Sequence, residues 1–405
     1  MRLRIHDVFL AVILAAHGPL SAGTYTWDGE GQSNNWSEAT NWVGDAVPPD
    51  FSDIVLPKGS LVVVDGDAEV SALDCRGFIQ INPGGTLVLA DPSTMYLGTV
   101  NGGVIENNAL LTVTNKLTQR AGDIRGSGSI EAPAGSVFMT ADNAPKSLAQ
   151  SLSCDGTIDL RADLNLNAQD PGDSVVIDVG ASALVLMEGD LTKTGAGSVT
   201  LNNHGTITAS GLLYPAISAG IFVENHPGAS VHVVQNSGLS MFGRCRMAGQ
   251  ISIDQGAFCE LGGEADLLGG LVCQGIGAIA LAGMIDVQGP VTIDCRALVN
   301  GELGGSADIT FNSTMNWFNG VMLGEGRALI GPGGHALLGG NNLDLRRTIE
   351  AEGDFEWFSG NLQLRATPEG VGRIVASGPF TADSNGAMSG DTSGVPDVVV
   401  TGLIT

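Results

Sequence analysis

The chain has 405 residues, of which 59 are glycine; aromatic residues make up 5%, and the formal net charge is −25 at pH 7. Glycine at that density leaves almost no window long enough for a stable helix, which excludes an α-helical class and points to strands and turns. The acidity excludes nucleic acid and anionic lipid surfaces as partners, since their phosphates would be repelled, and it keeps a glycine-rich, apolar chain soluble.

At the start, Arg2 and Arg4 precede an apolar run from Val8 to Ala16, followed by Gly18-Pro19 and the small residues Ser21 and Ala22. This is the pattern of a secretory signal peptide cleaved after Ala22. Its apolar run is about half the ~20 residues that a spanning helix needs. The expected product is therefore exported, extracellular or at the cell surface, without an integral membrane span once the signal is removed. The expected organisation is a signal peptide over 1–22, an N-terminal cap over 23–53 and repeats over 54–405.

The stretch "TYTWDGEGQSNNWSEATNW" holds Trp27, Trp36 and Trp42, three of the five tryptophans. They stand on polar, irregular sequence just before the first strand-like runs, "DIVLP" and "LVVVDG". A repeat column exposes a slice of core at each end, so three bulky rings folded over the first coil are expected as a cap. The competing reading is a sugar-binding platform.

Strand grammar then recurs: "GFIQINPGGTLVLA" from Gly77, "GVIENNALLTVTN" from Gly103, "GSIEAPAGSVFMTA" from Gly128 and "GTIDLRADLNLNA" from Gly156. Looser copies begin at Gly197, Gly220 and Gly249. A period in the twenties with two or three strands per unit predicts a β-solenoid, an all-β parallel β-helix whose inward side chains, such as Ile79, Ile81, Leu87 and Leu89, stack from coil to coil. A β-sandwich is the structural competitor, but Asp-Gly pairs such as Asp65-Gly66 and Asp155-Gly156 do not recur at hairpin spacing. The one helical candidate is "APKSLAQSL", Ala144 to Leu152.

The six cysteines are too sparse for a disulfide framework. Cys245, Cys259 and Cys273 are evenly spaced, which invites pairing, yet Cys75, Cys154 and Cys273 sit in apolar strand settings, where buried free thiols are expected.

The order Trp27-Asp28-Gly29, Trp36, Asn41-Trp42, Pro48, Asp53-Ile54, then "LVVVDGDAEVSALDCRGFIQINPGGTLVLA", resembles the opening segment of secreted bacterial surface proteins with autotransporter-passenger-like β-strand repeats. The resemblance implies a right-handed parallel β-helix, in a group most of whose members have no established activity; export, repetition and the lack of catalytic clusters point to a noncatalytic scaffold, adhesin-like at the cell surface or in the matrix. The chain departs from full autotransporters in continuing the repeat grammar over 300–405, where those proteins carry an outer-membrane barrel.

Candidates for chemistry are few. "NWFNG" and "EWFSG" place Trp317 and Trp357 at matching points of later repeats, facing the same way; exposed, they would be stacking surfaces for a polysaccharide that the protein binds or cleaves. Asp344 and Arg346 share one strand face with Arg347 adjacent, a set that a lyase could use and that more commonly forms a surface ion pair. "GGNNLD", Gly339 to Asp344, is a single imperfect copy of a calcium-binding repeat, so Ca2+ is the one weakly supported cofactor. His204, His226, His232 and His335 are scattered, without zinc spacing. No catalytic residue and no metal ligand is assigned. Surface proteins or extracellular polysaccharide are the expected partners.

Overall fold

The structure is a computed structural model and describes residues 22–211, 214–340, 343–368, 370–382, 387–390 and 397–402. The proposed signal peptide therefore lies almost wholly outside the described residues. Alternation of apolar and polar residues sets the strands: Ile221–Asn225, IFVEN, buries every second side chain and turns the others outward. From Lys146 to Arg346 each short strand pairs in parallel with the third strand after it, so three strands make one coil; further on, a small antiparallel pair, Ala366–Thr367 with Gly370–Val371, is inserted between coils. Ser174–Val179 lies on Ser198–Asn203, which lies on Ile221–Asn225. Earlier strands are longer and bend through the corners; Asp67–Ile81 alone pairs with Ser52–Leu56, Leu61–Val64 and Thr86–Leu89. Ala22–Thr26 already belongs to the ladder, paired in parallel with Ser52–Leu56.

The result is a β-solenoid of about 17 turns, a column about 80 Å long at the ~4.8 Å strand spacing. One interior rung series runs Ile130, Leu152, Ile177, Leu201, Val223, Cys245, Ala265, Ile285, Leu303, Met322 and Leu345, one residue per coil. Ile79, Ile81, Leu87 and Leu89 are all fully buried, as the alternation predicts. Each such residue contributes about 1.5–3 kcal/mol by leaving water. Asparagines join the core at turns: Asn203 donates from Nδ2 to Oδ1 of Asn225 one coil later, at 2.7 Å, with both side chains buried.

Coil length differs from the spacing of the quoted repeats. Residues aligned on adjacent coils are 17 apart at Leu61 and Phe78 and 27 apart at Leu164 and Leu191. Ile79 and Ile158 occupy the same face, with Gly98, Leu117 and Phe138 on the coils between them. Ile105 and Ile130 instead stand on the other two faces. The Gly-Ile grammar thus marks individual strands, and its spacing equals four strands where a coil has three.

The helical candidate is overturned. Residues 144–152 contain the strand Lys146–Leu148 and the start of Ser151–Cys154, paired with neighbouring coils on both sides. Local helix propensity is worth tenths of a kcal/mol per residue and yields to ladder pairing and to burial of Leu148 and Leu152.

One corner is built on glycine. Gly243, Gly263, Gly283, Gly301, Gly320, Gly340 and Gly360 occupy the corresponding turn of successive coils, and a Cβ on Gly283 would overlap the carbonyl group of Gly263. Gly283→Ala should therefore push two coils apart and destabilise the protein by about 3 kcal/mol, the upper end of overpacking costs. Gly66→Ala, where a Cβ meets open space, should change stability by less than about 1 kcal/mol. Equal denaturation midpoints for the two variants would contradict the stacked-corner assignment.

Candidate functional site

The segment with the three tryptophans is wired by its own polar side chains. Asn41 donates through Nδ2 to the carbonyls of Ser33 and Asn35, and its Oδ1 accepts from the Gly31 amide at 3.0 Å. Glu38 accepts from the backbone amides of Gln32 at 2.6 Å and Ser33 at 2.7 Å. These bonds fold the loop so that Trp27, Trp36 and Trp42 are 4%, 5% and 0% exposed. Trp42 lies edge-on to both partners, with centroids 5.1 Å and 4.7 Å away, and its Nε1 donates to the Trp36 carbonyl at 2.9 Å. None of the three rings presents an open face.

The Glu38 carboxyl is held down at about 2, below its ordinary 4.5, chiefly by the Ser33 hydroxyl and then by the amides of Gln32 and Ser33. A carboxyl depressed in the folded state stabilises above its unfolded pKa and loses that contribution as pH falls. Protection of residues 31–42 from protease should therefore weaken between pH 4.5 and 2 in the wild type. In Glu38→Gln it should be lower at neutral pH and lack this part of the acid dependence; identical profiles would contradict the assignment.

Trp317 and Trp357 do share a column, separated by Leu338 on the intervening coil. They face inward, 0% and 6% exposed, because strand alternation that buries Met315 buries Trp317 as well. Neither ring offers a face to a ligand. The aromatic residues on the outer side of that corner are their neighbours Phe318 and Phe358, edge to face at 6.2 Å.

Asp344 and Arg346 form an ion pair at 2.7 Å, with Arg365 Nε 3.6 Å from the same carboxylate. Arg347, next in sequence, turns into the column and is 0% exposed. Its guanidinium donates only to backbone carbonyls among the described residues: Gly326 at 2.9 Å, Ala307 at 3.2 Å, Gly304 and Arg327 at 3.3 Å, and Leu303 at 3.4 Å. Burial lowers its pKa from 12.5 to about 10, against a weaker raising pull from Asp308. The three residues Asp344, Arg346 and Arg347 therefore do not converge on one site. Asn341 and Asn342 of the calcium-like "GGNNLD" lie outside the described residues.

All six cysteines are buried free thiols. Burial pushes Cys75 and Cys154 up to about 11 and Cys245 up to about 12, so they are protonated and poorly nucleophilic. His204 and His226 stack at 3.8 Å on adjacent coils, whereas His232 faces Asp254 at 3.2 Å and His335 faces Glu356 at 3.5 Å. Among the described residues no group of three or more His, Cys, Asp or Glu side chains could hold a metal ion.

The site that the sequence did not disclose is a polar cleft of about 780 Å³. Its floor is one outward column, Asp123, Ser147, Asn165 and Thr192, on four successive coils. The turn before Lys146–Leu148 forms one wall, and the loop after Leu164–Asn167, ending at Asp173, forms the other. Lys146 fixes the first wall: its buried ammonium donates to the carbonyls of Asp142 at 2.6 Å and Ala144 at 2.8 Å. Burial lowers its pKa, countered in part by Asp163 and Asp142. The signal in the sequence is the run "LNLNAQDPGD", where a strand's outward asparagines lead into a loop longer than the usual corner.

No protein-family model matches the chain, and no curated protein and no solved structure matches it.

Proposed function

We propose that the chain is an exported, noncatalytic β-solenoid that serves as a structural or adhesin-like element at the cell surface or in the extracellular matrix. The observation that supports this reading most is the ladder that joins coil to coil among the described residues, a column whose interior is filled by its own side chains. Such a column holds surfaces apart and presents long faces. Right-handed winding, and closure of the first coil by Trp27, Trp36 and Trp42, belong to the same reading. Polysaccharide cleavage is less well supported, because Asp344 and Arg346 are committed to each other and Trp317 and Trp357 are buried.

Expression with residues 1–22 in a bacterial host should deliver the protein outside the cytoplasm with a new N-terminus at Gly23. A polysaccharide-degradation screen on that product should yield no fragments. Cytoplasmic retention, or reproducible fragment formation, would overturn the proposal.

A further inference from the structure

We infer that the cleft floored by Asp123, Ser147, Asn165 and Thr192 binds a neutral, hydroxyl-rich ligand, a short stretch of uncharged glycan. The scaffold reading neither supplies this role nor depends on it. The volume of about 780 Å³ lies within the range of small-molecule sites. Carboxylates of Asp123, Asp163 and Asp173 line it, and each is oriented by a bond from the protein: from Ser147 Oγ, from the Asp190 amide at 2.9 Å and from the Asp170 amide at 2.9 Å. An ionised carboxylate has about four lone-pair sites, so each keeps acceptor capacity for a ligand donor.

The cleft's two cations already have partners. Arg125 pairs with Glu106 at 3.4 Å, and Lys146 holds the wall carbonyls. An acidic glycan would thus meet three carboxylates against two cations, one paired with Glu106 and the other held by the wall carbonyls. A small cation is also disfavoured, because the acids are distributed along the cleft and no three of the described carboxylates gather closely enough to hold a metal. Between the acids stand groups of mixed character, the amides of Asn165 and Asn167 and the hydroxyls of Ser147 and Thr192.

Asn165 donates to Thr194 Oγ1 at 2.9 Å, and its Oδ1 is buried and has no hydrogen-bond partner among the described residues. Carboxylates interspersed with hydroxyls and amides match a ligand whose hydroxyls both give and accept hydrogen bonds. No aromatic ring lines the cleft, so recognition rests on hydrogen bonds and the acids.

The test uses the full chain on an array of neutral, uronate-containing and sulfated oligosaccharides. Calorimetric titration of the best neutral binder follows, with calcium chloride and spermidine as parallel probes. A neutral oligosaccharide should bind, and Asp173→Asn and Asn165→Leu should each weaken it about ten-fold or more, the loss expected for one charge-assisted bond or a blocked subsite. Thr192→Trp obstructs the floor without removing a loop contact and should abolish binding with an unchanged melting temperature. Binding confined to acidic glycans, to calcium or to spermidine would overturn the inference. So would neutral-glycan binding that survives Thr192→Trp, or no binding at all.

Discussion

Replacing Arg347 with methionine should destabilise the solenoid by about 3 kcal/mol, although the substitution removes a buried charge. The guanidinium ties three coils together: it reaches the carbonyls of Leu303, Gly304 and Ala307 on one and of Gly326 and Arg327 on the next, from Arg347 on the third. Arg327 keeps a second donor in the Ile309 amide, so not every acceptor is orphaned. Two or three buried carbonyls left unpaired at about 1–3 kcal/mol each outweigh the relief of guanidinium desolvation. Arg347→Lys should recover little, since a single ammonium cannot span a fork of five acceptors. Hydrogen exchange should accelerate at the corners 303–307 and 326–327 while residues 79–89 stay protected. Unchanged or higher stability in Arg347→Met would show that the residue burdens the column instead of stapling it.

The second large effect is expected at the opening of the chain. Trp36 lies 4.7 Å from Trp42, centroid to centroid, and its carbonyl receives the Trp42 indole. Trp36→Ala leaves a cavity costing about 3–5 kcal/mol at a well-packed site. Because coils couple mainly to their neighbours, the loss should appear as fraying. Protease should cut near residues 54–90 in the variant while the region around Trp317 and Trp357 stays resistant. Unchanged N-terminal protection would rule out a capping role, and folded variants that lose glycan binding alone would restore the platform reading.

The class of fold was legible because glycine density and strict apolar alternation are local properties, and Ile79, Ile81, Leu87 and Leu89 are buried where alternation puts them. The coil was harder to see. "GFIQI" and "GVIEN" look like successive repeats but sit on different faces, since any strand that follows a tight corner has the same grammar. The truer coil marker is the corner glycine of "MFGR", "LGGE", "LAGM" and "VNGE", whose similarity is too slight to notice without knowing that each must fit against the turn beneath it. Trp317 shows another limit: period two fixes that Trp317 and Phe318 point to opposite sides, and only the neighbouring rungs say which side is inside. The cleft was illegible because its floor gathers Asp123, Ser147, Asn165 and Thr192 from four coils, and only vertical register brings them together.

The most direct test of the stacking is a set of distances along one outward column. Glu131, Ser153, Asp178, Asn202, Glu224, Arg246, Asp266 and Asp286 pair in sequence, each one coil beyond the last. Spin labels on cysteines introduced at Glu131 and Asn202, Glu131 and Arg246, and Glu131 and Asp286 can be read by pulsed electron spin resonance. The native thiols are buried and have raised pKa values, so they should resist labelling. The separations should rise in proportion to coils crossed, about 14, 24 and 34 Å at ~4.8 Å per coil, before the labels' own breadth. Distances that fail to grow in this linear way would contradict a continuous parallel solenoid.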